Sequence, residues 1–246
     1  MGQDVAGRFT AGRLLFVGVA MATLLLPASA PQAEQAMEFA PEAVERSGPP
    51  SDAFKTAMEL YQQEKYYQAS VSLHEVVAGK TKDSPVRRER AEFWMGKTLY
   101  HLGYYSASLS YFDRIVQKGQ SHRFYNETLK WLASLSQKLP ESSGILEKVG
   151  KYSRAQLEQP ELAKVRSELF YLLGRYYYGK GTVDDFKKAI ALFGAVPANS
   201  PFFARAKFME GVTYVRMYKA QPAASAFKAV LRTAQEAPET NEIKEF

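Results

Sequence analysis

The stretch FWMGKTLYHLGYYSASLSYF, residues 93–112, decides the fold. Gly96 is a small residue in a first helical segment, and the large apolar Leu99 follows three positions later. Twelve residues after Gly96 comes a second small residue, Ser108, and the bulky Phe112 follows it by four positions. Small residues let the backbones of two packed helices approach closely where the helices cross. The stretch therefore predicts a helical hairpin with Gly96 and Ser108 at the crossing.

The same spacing occurs in four places along the chain. The first small residues are Ala57, Gly96, Gly174 and Gly211, and the bulky residues of the second helices are Leu73, Phe112, Phe193 and Phe227. The third copy, which begins at Gly174, also has a residue of the expected type at every position. Its second helix is displaced along the sequence because the loop at residues 179–183 is longer. No long stretch alternates apolar and polar residues, so no strand is predicted. Because a single hairpin cannot bury its apolar face, we expect the copies to stack on one another.

This spacing resembles the tetratricopeptide repeat, a helix–turn–helix unit of about 34 residues. The resemblance covers residues 51–236 and implies an all-α fold, a right-handed superhelix (α-solenoid) of stacked helix-turn-helix repeats. The implied units are approximately 51–80, 89–118, 122–152, 167–198 and 203–236, with a loop containing Pro85 after the first unit. The middle unit is degenerate, because Ala133 occupies the first small position but Ile145 stands where the second is expected.

The two ends of the chain differ from the repeats. Arg8 and Arg13 precede an apolar run of 13 residues, Leu14–Leu26, which is followed by Pro27-Ala28-Ser29-Ala30. This is the order of a secretory signal peptide, and the run is shorter than the roughly 20 residues that span a bilayer. We therefore expect residues 1–30 to be a signal peptide, residues 31–50 a flexible Ala- and Pro-rich linker, and the protein to be exported to the periplasm or cell envelope. A retained segment would instead tether the protein to the membrane. Residues 237–246 are interpreted as a tail or the start of a truncated further repeat.

Composition excludes several kinds of chemistry. The chain has no cysteine, which excludes disulfides, thiolate metal sites and a cysteine nucleophile. The three histidines, His74, His101 and His122, do not have metal-ligand spacing and are interpreted as ordinary surface or groove residues. The formal net charge of +6 is mild, so it permits an acidic partner without demanding nucleic acid. We predict no catalytic residues, no metal, no cofactor and no nucleic-acid partner, and hence no enzyme activity in this chain.

Two segments resemble catalytic motifs. Residues 174–182 nearly match the phosphate-binding loop G-x-x-x-x-G-K-[ST], but Gly181 stands where the metal-binding hydroxyl is required. We interpret them as a helix followed by an exit turn at residues 179–182. Some cell-wall lytic enzymes carry a helical superhelix, and Pro140-Glu141-Ser142 contains a Glu-Ser pair. The residues around the pair do not resemble the catalytic domain of those enzymes, and the pair is predicted to start a helix, with residues 141–143 as cap candidates. The corresponding alternative is a repeat platform of a cell-wall-acting enzyme whose catalytic part lies outside this chain.

The first helices of the units are expected to line a concave groove. Its predicted lining is aromatic and basic: Tyr61, Phe93, Lys97, Tyr100, Lys130, Tyr171, Arg175, Tyr178, Arg205, Phe208 and Arg216. Aromatic residues and Arg are good anchors for a bound peptide. The sequence therefore predicts a protein–protein interaction adaptor or scaffold of the bacterial cell envelope, binding protein or peptide segments, acidic ones among them. The alternative is that the rings form core shared between neighbouring hairpins while the cations are solvated.

Overall fold

The computed structural model describes residues 48–236, with side chains described as far as Thr233. The signal peptide predicted for residues 1–30 and the tail predicted for residues 237–246 lie outside the described residues, as does most of the 31–50 linker. Within residues 48–236 the chain forms α-helices and no strand. The helices are α1 (Asp52–Gln62), α2 (Tyr66–Val77), α3 (Pro85–His101), α4 (Tyr105–Lys118), α5 (Tyr125–Ser136), α6 (Ile145–Val149), α7 (Arg154–Leu157), α8 (Arg166–Lys180), α9 (Val183–Gly194), α10 (Phe203–Arg216) and α11 (Ala220–Glu236).

The helices form a stack of antiparallel pairs. The regular hairpins are α1–α2, α3–α4, α8–α9 and α10–α11, and α5 to α7 form a middle unit. Each pair packs on the next through α2–α3, α4–α5, α6–α8 and α9–α10. One apolar core runs from Phe93 to Ala206, and a smaller one joins α1, α2 and α3. The predicted all-α stack of helix-turn-helix repeats is confirmed.

The helix crossings explain the spacing of small and bulky residues. A Cβ atom added at Gly96 would lie 2.8 Å from the ring of Phe112, and one at Gly211 would lie 2.6 Å from the ring of Phe227. Real Cβ atoms do not approach other atoms so closely, so only glycine admits these rings. The hydroxyl of Ser108 also donates a 2.8 Å hydrogen bond to the carbonyl oxygen of Gly96. The predicted meeting of small residues is therefore confirmed in the second hairpin.

The turns of the regular hairpins share one backbone conformation. Seven residues after its first small residue, each has a residue with positive φ: Glu64 (+58°), Gly103 (+79°), Gly181 (+78°) and Tyr218 (+56°). In three of these turns the next residue donates its N–H to the carbonyl five residues earlier, at 2.9 Å, as in a Schellman motif. The same position in the middle unit is Pro140, which has φ −66°. The proline ring fixes φ in that range, so this turn cannot form there.

The middle unit departs from the others after this turn. The unit was predicted over residues 122–152, with Ile145 in its second helix, but that helix, α6, spans only Ile145–Val149. Ile145 is buried at the position of the missing small residue, and Val149 is buried at the bulky position. Two short pieces, α7 and a 3-10 turn at Pro160–Leu162, then fill the space before α8. The unit is degenerate, as predicted, but its second helix is much shorter than expected.

The start of α3 also differs from the prediction. The helix begins at Pro85, which was predicted to lie in the loop after the first unit. The side chain of Ser84 accepts a hydrogen bond of 3.3 Å from the backbone N–H of Arg87, which caps the helix. Proline suits the first helical position because its missing N–H has no partner there in any case. The second unit therefore starts four residues earlier than predicted.

Candidate protein-binding groove

The first helices α1, α3 and α5, together with the start of α2, bring a continuous set of aromatic rings together. We call Tyr61, Tyr66, Trp94, Tyr100, His101 and Trp131 the aromatic cluster. Ring centroids are 4.6 Å apart for Tyr61 and Trp94, 5.3 Å for Tyr100 and Trp131, and 5.9 Å for His101 and Trp131. Tyr66 stacks on His101 at 4.5 Å. Except for the exposed His101 these side chains are half-buried, so part of each ring is accessible to a partner.

Lys97 lies at the centre of the aromatic cluster. Its Nζ atom is 3.8 Å from the ring centroid of Trp94, 5.0 Å from that of Tyr61 and 5.4 Å from that of Trp131. Cations are attracted to the negative faces of aromatic rings, and the attraction strengthens when water is excluded. Lys97 is only 8% exposed. It was predicted to line the groove surface, but the structure places it beneath that surface, where it joins three first helices.

Phe93 is a core residue, so its prediction as groove lining is wrong. It is 7% exposed. Its ring stacks on Phe124 with 4.5 Å between centroids and meets Phe112 edge-on at 5.9 Å. Phe124 immediately precedes α5. For Phe93 the alternative of a core shared between neighbouring hairpins is therefore correct.

Arg175 on α8 already binds a carboxylate. Its guanidinium donates to Glu141 with 2.6 Å between nitrogen and oxygen, and the side chain of Glu141 is 73% exposed. This hydrogen bond lowers the pKa of the Glu141 carboxyl below its ordinary value. A general acid needs a raised pKa, so the geometry argues against Glu141 as a catalytic acid. Glu141 starts a 3-10 turn rather than an α-helix, and no side chain caps α6.

The remaining predicted residues lie on α5, α8 and α10. Lys130 is half-buried on α5. The guanidinium carbon of Arg216 is 4.9 Å from the ring centroid of Tyr178, which connects α8 with α10. The ring of Phe208 lies 5.8 Å from that of Phe227, so Phe208 packs within its own hairpin.

Tyr171 and Arg205 both contact Phe202. The ring centroids of Tyr171 and Phe202 are 5.9 Å apart, and the guanidinium carbon of Arg205 is 6.0 Å from the Phe202 centroid. The positive charge of Arg205 also acts on the buried carboxyl of Glu168. Burial raises the pKa of Glu168, and hydrogen bonds from α5 and the charge of Arg205 act in the opposite direction. Tyr171 and Arg205 thus belong to the contact between the hairpin α8–α9 and the hairpin α10–α11.

The segment that resembles a phosphate-binding loop is a helix and a hairpin turn. Helix α8 continues to Lys180, one residue beyond the predicted start of the turn, and Gly181 closes it with φ +78°. The hydroxyl of Thr182 then accepts a 3.1 Å hydrogen bond from the N–H of Asp185 and caps α9. Both features are those of ordinary helix termini.

His122 is buried, contrary to the interpretation of all three histidines as surface or groove residues. Its Nδ1 atom accepts a 3.2 Å hydrogen bond from the N–H of Phe124, and burial lowers its pKa. Among residues 48–236 no group of three or more His, Asp or Glu side chains is placed to hold a metal ion. In the same part of the chain, every helix is too short or too polar to traverse a bilayer.

Three residues of the aromatic cluster were missed by sequence reasoning: Tyr66, Trp94 and Trp131. The two tryptophans of the chain occupy the same repeat position, two residues before Gly96 and two residues before Ala133. That coincidence was a usable signal, because a helix position shared by two repeats faces the same way in both. Tyr66 lies at the start of α2, a second helix, whereas the groove was predicted from the first helices only.

Comparisons with known proteins do not assign a family. No protein-family model matches the sequence, and no curated protein matches it. Among solved structures, a crystal structure of MamA protein aligns over 76% of this chain and 96% of its own, with TM-score 0.48 and 17% identity. MamA 41-end from Desulfovibrio magneticus RS-1 aligns over 77% and 99%, with TM-score 0.43 and 20% identity. A MamA RS-1 double mutant aligns over 75% and 96%, with TM-score 0.42 and 20% identity. These scores carry no argument about function, and the fold assignment rests on the helices and their packing.

Proposed function

We propose that this chain is a protein-interaction adaptor that binds partner segments along its first helices. The observation that carries the proposal is the aromatic cluster, in which accessible rings from three successive units meet around Lys97. Aromatic side chains supply large contact areas with little loss of conformational freedom, so they dominate binding energies at interfaces. Arranged across several units, they suit an extended or helical segment rather than a small molecule.

The partner segment is proposed to carry both carboxylates and apolar side chains. Arg175 supports this, since it binds the carboxylate of Glu141 on a largely exposed side chain. A partner carboxylate can replace Glu141 there without forcing Arg175 to give up a deeply buried interaction. Arg216, exposed beside Tyr178, offers a second cation on the same layer of helices. Such pairs favour steering and specificity more than raw affinity.

We place the adaptor in the bacterial cell envelope on the basis of the N-terminal sequence alone. Arg8, Arg13 and the apolar run Leu14–Leu26 have the order of an export signal. Sequencing the N-terminus of the protein recovered from fractionated cells tests this. A start near residue 31 in the periplasmic fraction supports export and cleavage. An intact N-terminus in the membrane fraction supports a tethered assembly factor, and recovery from the cytoplasm contradicts both.

Affinity capture from a cell-envelope extract tests the binding surface. The Arg175→Met/Arg216→Met variant removes two charges from first helices. A matched control, Lys187→Met/Lys228→Met, removes two exposed charges from the second helices α9 and α11. We expect a partner that binds the parent and the control but is recovered several-fold less with the first-helix variant. Circular dichroism confirms that all three proteins are folded.

A second pair of variants tests the rings. Trp131→Leu keeps an apolar side chain on α5 but removes the aromatic faces that meet Tyr100 and Lys97. Tyr111→Leu makes a similar change on the second helix α4. The same partner should be lost with Trp131→Leu and retained with Tyr111→Leu. Equal capture by both variants and the parent would place binding on another surface and defeat the proposal.

A further inference from the structure

Exposed apolar side chains concentrate at the turns between the two helices of the regular hairpins. Eight large apolar side chains are exposed among residues 48–233, and five of them lie at or beside these turns. We call these five residues the turn edge: Tyr67 (67% exposed), Tyr104 (59%), Val183 (60%), Val215 (55%) and Tyr218 (97%). A scattered exposed apolar residue is ordinary, but a concentration of such residues at one kind of turn is not.

The stacking of the helices brings these turns to the same side of the repeat array. Each turn follows the first helix of its pair, and first helices pack on one another through α3–α5, α5–α8 and α8–α10. The carboxyl ends of these helices, and hence the turns, therefore lie along one edge. None of the five turn-edge residues belongs to the aromatic cluster, although Tyr61, Tyr66, Tyr100 and His101 of that cluster lie within three residues of Glu64 or Gly103 in the first two turns.

Tyr218 is exposed even though its backbone conformation is unfavourable for a tyrosine. It has φ +56° at the position that glycine occupies in two of the other turns. Positive φ is unfavourable for a bulky residue. With 97% of its surface exposed, Tyr218 gains almost no burial in exchange. Such an outlier is a reason to look for a function of the side chain in contact with something outside the fold.

Cations accompany the apolar side chains at these turns. Exposed positive residues at the turns of the regular hairpins are Lys65, Lys180, Arg216 and Lys219, and the exposed acidic residues are Glu64 and Asp184. Of these acids, Asp184 is already in an ion pair with Lys187. The surface is therefore positive as well as apolar.

We propose that the turn edge binds the surface of an anionic lipid bilayer. Tyrosine rings are favoured at the level of lipid headgroups, and Lys and Arg are attracted to anionic lipids. These side chains belong to the turns of four different hairpins and are each exposed to solvent. The headgroup region of a bilayer can accommodate separate side chains, whereas a folded protein partner needs a continuous complementary patch. The proposal does not rest on the adaptor function, because none of the five turn-edge residues belongs to the aromatic cluster.

Co-sedimentation with vesicles tests the proposal. The purified full chain is mixed with vesicles of phosphatidylcholine alone or with phosphatidylglycerol added. Tyr67→Ser/Tyr104→Ser/Tyr218→Gly removes three apolar tips. The control Leu231→Ser removes another exposed side chain, 63% exposed on α11 away from the turns. We expect binding to the anionic vesicles to fall about tenfold with the triple variant and to be unchanged with the control. Every variant keeps residues 1–47, so any contribution of these residues to vesicle binding is the same in all of the proteins compared.

The single variant Tyr218→Gly separates loss of binding from loss of folding. Glycine adopts positive φ without strain, so this variant should have a higher melting temperature than the parent while it binds anionic vesicles more weakly. Misfolding cannot produce that combination. The proposal is overturned if the triple variant binds like the parent, if the parent binds neutral and anionic vesicles equally, or if crosslinking places the tyrosines against a second protein molecule instead of lipid.

Discussion

The hydroxyl of Tyr152 donates a 2.8 Å hydrogen bond to the backbone carbonyl of Tyr125, and the two rings stack with 4.2 Å between their centroids. In return, the hydroxyl of Tyr125 donates to the carbonyl of Lys151 at 2.9 Å. These bonds connect α5 with the chain beyond α6, where the middle unit lacks a full second helix. The tyrosine pair thus replaces contacts that a regular hairpin would make along two helices.

Tyr152→Phe should lower the free energy of unfolding by about 1 kcal/mol, because it keeps the stacked ring but removes a buried hydrogen bond between the two segments. Urea titration followed by circular dichroism measures the change. Tyr104→Phe is the control, since its hydroxyl is removed from an exposed residue. Equal stability of Tyr152→Phe and the parent would mean that stacking alone connects these segments.

The positive φ of Glu64 and Tyr218 predicts stabilising substitutions. Replacing either residue by glycine should raise the free energy of unfolding by about 0.5–1 kcal/mol, since glycine adopts this conformation without a steric penalty. Gly103→Ala tests the reverse in the second hairpin and should destabilise by a similar amount, because its φ is +79°. Thermal unfolding of the three variants checks the set. A destabilised Glu64→Gly would show that flexibility gained by the unfolded chain outweighs the relief of strain.

Two glycines of α8 should respond oppositely to alanine. A Cβ atom at Gly174 would lie 2.5 Å from the ring of Phe193, whereas one at Gly179 would meet nothing within 4 Å. Gly174→Ala should therefore cost about 1–3 kcal/mol through overpacking at the helix crossing. Gly179→Ala should be neutral or stabilise by up to about 1 kcal/mol, because alanine is the better helix former. Denaturant titration of this matched pair distinguishes a packing effect from helix propensity, and similar changes in both variants would contradict the crossing geometry.

The crossings were predictable from sequence because they depend on local spacing. Gly96 and Phe112 are sixteen residues apart, and so are Gly211 and Phe227, which is enough to specify a hairpin without knowledge of the rest of the chain. The irregular turn of the middle unit was also predictable from the sequence. Pro140 stands seven residues after Ala133, where the regular turns require positive φ, and proline cannot provide it.

The site was harder to predict because its geometry depends on neighbouring units. Periodicity identifies the face of α3 that carries Phe93 and Lys97, but not what covers that face. Phe93 is covered by Phe124, and Lys97 by rings that include Trp131, which lies 34 residues further along the chain. Whether a residue lines a groove or fills a core is set by the packing distance between hairpins, which a single sequence does not specify.

Glu168 gives the chain a pH-dependent contribution to stability. It is 4% exposed at the start of α8 and accepts hydrogen bonds of 2.8 Å from Ser136 and 3.0 Å from Gln137 at the end of α5. Burial raises the pKa of its carboxyl above the ordinary value of about 4.3. Between the ordinary and the raised pKa, the native state binds this proton more tightly than the unfolded state does. Raising the pH through that range therefore removes stability.

Glu168→Gln should remove this dependence. An amide oxygen can still accept the hydrogen bond from Ser136, and the amide of Gln137 can turn to match its new neighbour. The stability of the variant relative to the parent should consequently increase as the pH rises from the ordinary pKa of a glutamate through the raised pKa of Glu168, because only the parent has to ionise a buried carboxyl. Urea titrations across this range measure the difference, with the exposed Glu59→Gln as control. A difference that stays constant with pH would show that Glu168 titrates alike in both states, and that its hydrogen bonds to α5 and the charge of Arg205 fully offset burial.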